Sequence, residues 1–156
     1  MSIANIHIEE HHPDIMQAFE ELNKVWLRKF FTIEPIDEYV LTQPEDAIIN
    51  KGGSILGAML DNKIVGVVAL KKVSNDIYEF TKMAVDEAYH RKGIAETLSH
   101  AAFRKARVLG AKKVILYSHT SLHSAISLYR KLGFSETPLD QGNEYQRSDI
   151  KMEIDI

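Results

Sequence analysis

The chain has 156 residues, 45% hydrophobic and 26% charged, values of an ordinary globular protein that leave no room for a disordered or fibrous reading. Its 19 basic and 22 acidic side chains give a formal net charge of -3, and no basic run exceeds pairs such as Arg91-Lys92, so nucleic acid is not expected as a partner. Cysteine is absent, which removes disulfides, thiolate nucleophiles and Cys-based zinc sites, and neither a signal-like N-terminus nor a run of 18 apolar residues is present; a cytoplasmic protein that neither crosses nor binds a membrane is expected.

Residues Ile3 to Glu9 alternate apolar and polar, predicting a short half-buried strand. Pro13 suits the first turn of a following helix, in which Ile15, Phe19, Leu22, Trp26 and Phe30 form one apolar stripe. From Thr32 to Gly53 the pattern is irregular, with Pro35 and Pro44 separating short helices. The acidic residues Glu34, Asp37 and Glu38 in this stretch read as solvated surface or as the face of a cationic substrate. Three strands then follow, Ile55 to Leu60, Ile64 to Val73 and Ile77 to Val85, joined by polar turns as an antiparallel meander.

The second half predicts a helix from Ile94 to Leu109 closed by Gly110, a strand from Lys113 to Ser118, and a helix from Ser121 to Leu132 closed by Gly133. Ile94, Leu98, Ala101, Ala102, Val108 and Leu109 make the inner stripe of the first helix, with the stem of Lys105 reaching outward from it. Leu122, Ala125, Ile126, Tyr129 and Leu132 make that of the second. Residues from Phe134 and from Ser148 to Ile156 return to β-like sequence. The order implies one mixed α/β (α+β) domain over residues 1–156, with neither linker nor repeat.

The segment His90-Arg91-Lys92-Gly93-Ile94-Ala95 lies between a strand and a helix. Backbone N–H groups in the first turn of a helix lack intrahelical partners and carry partial positive charge, so such a junction suits an anion. Gly93 permits close approach of a phosphate, Ala95 keeps the helix start uncrowded, and Arg91 and Lys92 add charge. A doubly charged pyrophosphate fits this pattern, as does a plain helix start.

His90 to Ala95 resembles the signature of the Gcn5-related N-acetyltransferase (GNAT) superfamily: Gln or Arg, two residues, Gly, one residue, then Gly or Ala. The downstream run Leu128-Tyr129-Arg130-Lys131-Leu132-Gly133-Phe134 resembles that family's second signature, and the element order agrees over nearly the whole chain. The resemblance implies a central mixed, mostly antiparallel sheet of about seven strands flanked by about four helices. It implies acetyl-CoA as cosubstrate, with backbone groups of Met83, Ala84 and Val85 on the pantetheine and His90 to Ala95 on the pyrophosphate. The strand Lys113 to Ser118 is then the one splayed away from Val85, whose N–H would also polarise the thioester carbonyl.

Two side chains receive catalytic roles from the same resemblance. Glu79, six residues before Val85 and so assigned to its face by the two-residue period, is the candidate general base; a solvent-facing strand glutamate is the alternative. Tyr129 is the candidate general acid for the departing thiolate, or else a core tyrosine. The family's first signature position is His90 here, and its frequent asparagine is Leu122, so Ser121 or Ser124 is expected to supply that polar contact. His119 and His123 are four apart, yet no third ligand is evident and no metal is expected.

Without cysteine, direct transfer to an amine in a ternary complex is expected. The acceptor, a small-molecule or peptide amine, is set by residues from Pro13 to Gly53 and is not readable from them. Homodimers are common in the family, and no residue identifies an interface. The rival reading is a non-catalytic acyl-CoA-binding module, which needs the loop but neither Glu79 nor Tyr129.

Overall fold

The computed structural model describes residues 5–140 and 144–156. Strand β1 (His7–Glu9) leads to α1 (Ile15–Phe30), α2 (Pro35–Thr42) and α3 (Pro44–Ala47). The meander β2 (Ser54–Leu60), β3 (Lys63–Lys72) and β4 (Ile77–Val85) follows, then α4 (Ile94–Val108), β5 (Lys113–Ser118), α5 (His123–Leu132), β6 (Ser135–Thr137) and β7 (Ile150–Asp155). All strands join one sheet in the order β1-β2-β3-β4-β5-β7-β6, parallel only between β4 and β5. This is the mixed, mostly antiparallel seven-stranded sheet expected from the sequence.

Local chemistry explains the boundaries. Asp61 and Asn62 turn β2 into β3 with φ of 51° and 63°, the left-handed pair that matches strand twist in a tight hairpin. Pro35 opens α2 inside a capping box in which Glu34 and Asp37 each accept from the other's backbone. Both helices of the second half end on left-handed glycines, Gly110 and Gly133, as their positions in the sequence suggest.

The sheet separates two apolar layers. One holds Leu56, Val65, Val68, Leu70, Tyr78 and Phe80 against Leu98, Ala102 and Phe103 of α4. The other packs Ile15, Phe19 and Leu27 of α1 and Val40 and Leu41 of α2 on Ile55, Val67, Ala69 and Ala84. Gly66 on β3 lets α4 approach closely: a Cβ there would stand 2.9 Å from Leu98 and 3.0 Å from Ile94. That contact seats the start of α4 against the sheet.

Several expectations shift. Residues 1–4 lie outside the described part, so only His7–Glu9 of the first predicted strand is observed. In α1 the buried row is Ile15, Phe19, Asn23 and Leu27; Phe30 is 49% exposed, because a strict four-residue step rotates the stripe past it. Val108 is 79% exposed, while Phe103 and Ala106 take the inward positions of α4. Lys105 does snorkel, its ammonium 3.1 Å from Glu10. Helix α5 starts at His123 rather than Ser121, and none of its residues is fully buried, since its inner face looks into a groove.

Candidate active site

The groove begins where β4 and β5 part. Their parallel pairing covers Ile77 to Glu79 against Lys113 to Ile115 and stops there. Beyond it, Phe80–Val85 and Leu116–Ser118 line opposite sides of a cavity of about 560 Å³, closed by α1, α5, the loop before α4 and the segment from Tyr145 to Ser148. Met83, Ala84 and Val85 all face it, so the strand expected to splay from its neighbour does so.

A β-bulge sits at the same place. Val67 pairs with Ala84 and Ala69 with Thr81, so Lys82 and Met83 together oppose Val68, with Lys82 in the left-handed region at φ 56°. Asn23 of α1 steadies the bulge, its Nδ2 donating to the carbonyls of Lys82 at 3.0 Å and Phe19 at 2.9 Å. The extra residue inverts the side-chain alternation. Tyr78 and Phe80 share the α4 layer with Met83 and Val85, which puts Glu79 on the opposite face from Val85. The two-residue count that assigned both to one face is thereby corrected, because no pattern in the sequence marks the bulge.

At the other end, the chain turns from β4 into α4 through two left-handed residues, Arg91 at φ 63° and Gly93 at φ 78°. Among the described residues no side chain caps α4, and the first amide bonded within the helix is that of Thr97, to Gly93 at 3.0 Å. The amides of Ile94, Ala95 and Glu96 are therefore free of intrahelical partners, the geometry of an anion site. His90, Arg91, Gly93, Ile94 and Ala95 line the groove; Lys92 is not among the lining residues. The His90 ring turns back, Nε2 donating to the Val85 carbonyl at 2.9 Å. Ser124 and Leu122 line the groove, whereas Ser121 hydrogen-bonds the His119 ring at 2.7 Å and is not part of the lining.

Tyr129 reaches the groove from α5 between the rings of Phe80 and Phe134, at 6.0 Å and 5.9 Å between centroids. Burial pushes its phenol up to about 12. Glu79 is 5% exposed, so it is neither a solvent-facing residue nor part of the groove wall. Its Oε2 accepts from the Tyr145 hydroxyl at 3.3 Å, and Tyr145 does line the groove. Burial raises the Glu79 carboxyl above its ordinary range, with the charge of Lys71 opposing. Burial and then the Glu79 charge likewise raise the Tyr145 phenol.

Beside Tyr145 stands a buried ion cluster that the sequence did not disclose. Lys82 Nζ lies 2.7 Å from Asp37, and Arg147 donates to both oxygens of Asp37 at 2.7 Å and to Glu34 at 2.9 Å. Asp37 is 0% exposed, which corrects its reading as solvated surface. Burial opposes its ionisation, but the Arg147 hydrogen bonds and the Lys82 charge hold its carboxyl down to about 2. Burial lowers the Lys82 ammonium against the pull of Asp37. The one available signal was a lysine in the middle of an apolar strand; Arg147 lies in a polar stretch that carries none.

His119 precedes α5 instead of sharing its face with His123, and it lines the groove. Among the described residues no group of three or more His, Cys, Asp or Glu could hold a metal ion, and no helix is long and apolar enough to cross a membrane.

The profile of the "Acetyltransferase (GNAT) family" matches residues 16–134. Mycothiol acetyltransferase of Corynebacterium efficiens is 31% identical over 99 residues, which are 64% of this chain and 33% of that protein. The chain thus spans about a third of the length of that relative. A GNAT-family acetyltransferase of Staphylococcus aureus Mu50 superposes with a TM-score of 0.84 at 20% identity, over 96% of this chain and 98% of the other. PaiA N-acetyltransferase of Thermoplasma acidophilum, solved with coenzyme A, superposes at 0.76 with 21% identity, over 97% and 99%. A match over residues 16–134, on a sheet that parts above an uncapped helix start, makes the chain a member of the GNAT acetyltransferase family.

Proposed function

We propose that residues 1–156 act as one acetyl-CoA-dependent N-acetyltransferase domain, moving an acetyl group directly to a small-molecule or peptide amine in a ternary complex within the cytoplasm. The observation carrying this reading is that one groove joins the free amides of Ile94 to Glu96, the parted strand ends and the phenols of Tyr129 and Tyr145. Its residues fit the cosubstrate: an anion site for the pyrophosphate at one end, and unpaired strand edge at Met83 to Val85 for the pantetheine amides. When bound, acetyl-CoA supplies an activated acetyl group as a thioester.

Arg91 and the α4 amides hold phosphate charge, and Ser124 serves as the polar contact on α5. Glu79, raised by burial, draws a proton from the acceptor ammonium through the Tyr145 hydroxyl, which gives its own proton to Oε2 as it takes one from the amine. This leaves a neutral nitrogen able to form the new N–C bond. Tyr129 donates its phenolic proton to the sulfur as the C–S bond breaks, and the second proton shed by the nitrogen of the tetrahedral adduct restores the phenol; the apolar setting of Phe80 and Phe134 keeps the phenolic proton in place until the thiolate departs.

The test is thiol release from acetyl-CoA across a panel of amines. Turnover with at least one amine, lost in both Glu79→Gln and Tyr129→Phe, supports the reading. Acetyl-CoA binding without turnover on any amine would favour a non-catalytic acyl-CoA-binding module instead.

A further inference from the structure

The acceptor half of the groove has an uneven charge distribution. Lys82, Arg147 and His119 line it, and among the described lining residues the one carboxylate is Glu96, in the first turn of α4. The anions that balance Lys82 and Arg147 lie behind them: Asp37 is fully buried, Glu34 has a side-chain exposure of 17%, and neither lines the groove. Lys82 and Arg147 are themselves largely covered, at 5% and 16% side-chain exposure, but it is they and not these two carboxylates that line the groove.

Donors also remain. Glu34 and Asp37 take three hydrogen bonds from Arg147, two on Nη1 and one on Nη2. A guanidinium has five N–H groups, so Nε–H and the second Nη2–H have no partner among the described residues, a pair in the fork geometry that suits a planar carboxylate. Lys82 donates to Asp37 and stands 4.6 Å over the Tyr145 ring, leaving further N–H capacity on an ammonium fixed at the bulge. Trp26, Leu27 and Phe31 complete the wall with apolar surface.

We infer that the acceptor is an amino-acid-like amine: its carboxylate is taken by Arg147 and Lys82, its apolar side chain rests on Trp26, Leu27 and Phe31, and its amine faces Tyr145. A polyamine finds no carboxylate on this wall, and its second cation would face Lys82 and Arg147. The inference rests on the acetyltransferase reading for the role of the amine, but the carboxylate subsite stands on the cluster itself.

The chain has one tryptophan, Trp26, and it lines the groove, so its fluorescence reports occupancy without turnover. With coenzyme A saturating, the protein is titrated with product-like pairs that differ only in the carboxylate: N-acetylphenylalanine against N-acetylphenethylamine, and N-acetylleucine against N-isoamylacetamide, with N-acetylspermidine as the cationic arm. The carboxylates are expected to bind at least about tenfold more tightly than their neutral partners, a preference that Arg147→Gln reduces to about twofold and Arg147→Lys partly restores. Equal affinity within pairs, tighter binding of the cationic arm, or no binding by either carboxylate overturns the inference; the comparison in the unsubstituted protein decides even if the variants fail to fold. Calorimetry with acetyl-CoA separates the two readings. Loss of cosubstrate binding with the carboxylate preference intact removes only the enzyme, and the reverse removes only the subsite.

Discussion

Lys82 holds a left-handed backbone at the β4 bulge while its ammonium sits 2.7 Å from Asp37 on α2, so one residue both opens the sheet and ties it to the helix above. Asp37 also receives Arg147, which joins three distant parts of the chain around the acceptor end of the groove.

Removing the central carboxylate leaves two cations with reduced compensation. Asp37→Asn is therefore expected to lower unfolding free energy by about 3–5 kcal/mol, measured by urea denaturation at neutral pH. Asp37 has a native value of about 2 against an ordinary 3.8, so it contributes about 2 kcal/mol above pH 3.8, lost as pH falls from there toward 2. The variant should lack that portion of the acid transition.

Glu79 carries the opposite sign. Its carboxyl is raised above 4.5 by burial, so its ionisation costs stability at pH values above its native titration and nothing below 4.5. Glu79→Gln should raise the melting temperature at pH 8 relative to the parent, and the gain should vanish at pH 4. The same variant should lose about 10²–10⁴ in kcat and flatten the acid limb of the rate profile. An unchanged profile removes Glu79 as base.

The Tyr145 hydroxyl, on the groove wall, hydrogen-bonds Glu79 and is the group proposed to relay the proton. Tyr145→Phe is expected to reduce kcat about as far as Glu79→Gln, with the double variant no worse than either alone. Additive losses in that cycle would mean that the two act separately.

The seat of α4 offers a structural test at a distance from the chemistry. Gly66→Ala places a Cβ 2.9 Å from Leu98 Cδ1 and 3.0 Å from Ile94 Cγ2, so those side chains or the helix start must shift. A stability loss of about 1–3 kcal/mol is expected, together with a rise in the acetyl-CoA dissociation constant and little change in acceptor KM.

The meander β2 to β4 and the helix ends were legible because they rest on local signals: apolar strand runs separated by polar turns, and glycines placed just after α4 and α5; the seven-stranded mixed sheet came from the family resemblance, and the strand order was not read. The family signatures supplied Tyr129 and the parting of β4 from β5. Hidden from the sequence were features that arise only when distant segments meet. The bulge at Lys82 is steadied by Asn23, 59 positions away, and Asp37 is a buried anion paired with Lys82 and with Arg147, 45 and 110 positions on. Glu79 changes face for the same reason, since a single inserted residue reverses an alternation that sequence periodicity takes as continuous.

The groove is proposed to bind acetyl-CoA through the start of α4. Calorimetric titration of the parent protein with acetyl-CoA, beside a Gly93→Val variant whose circular dichroism matches the parent, tests it most directly. Gly93 stands at φ 78°, which a β-branched residue resists, so the loop must rearrange. Micromolar binding by the parent and a loss of at least about tenfold in the variant are expected; a folded parent that binds no acetyl-CoA, or a variant that binds it equally well, would remove this site.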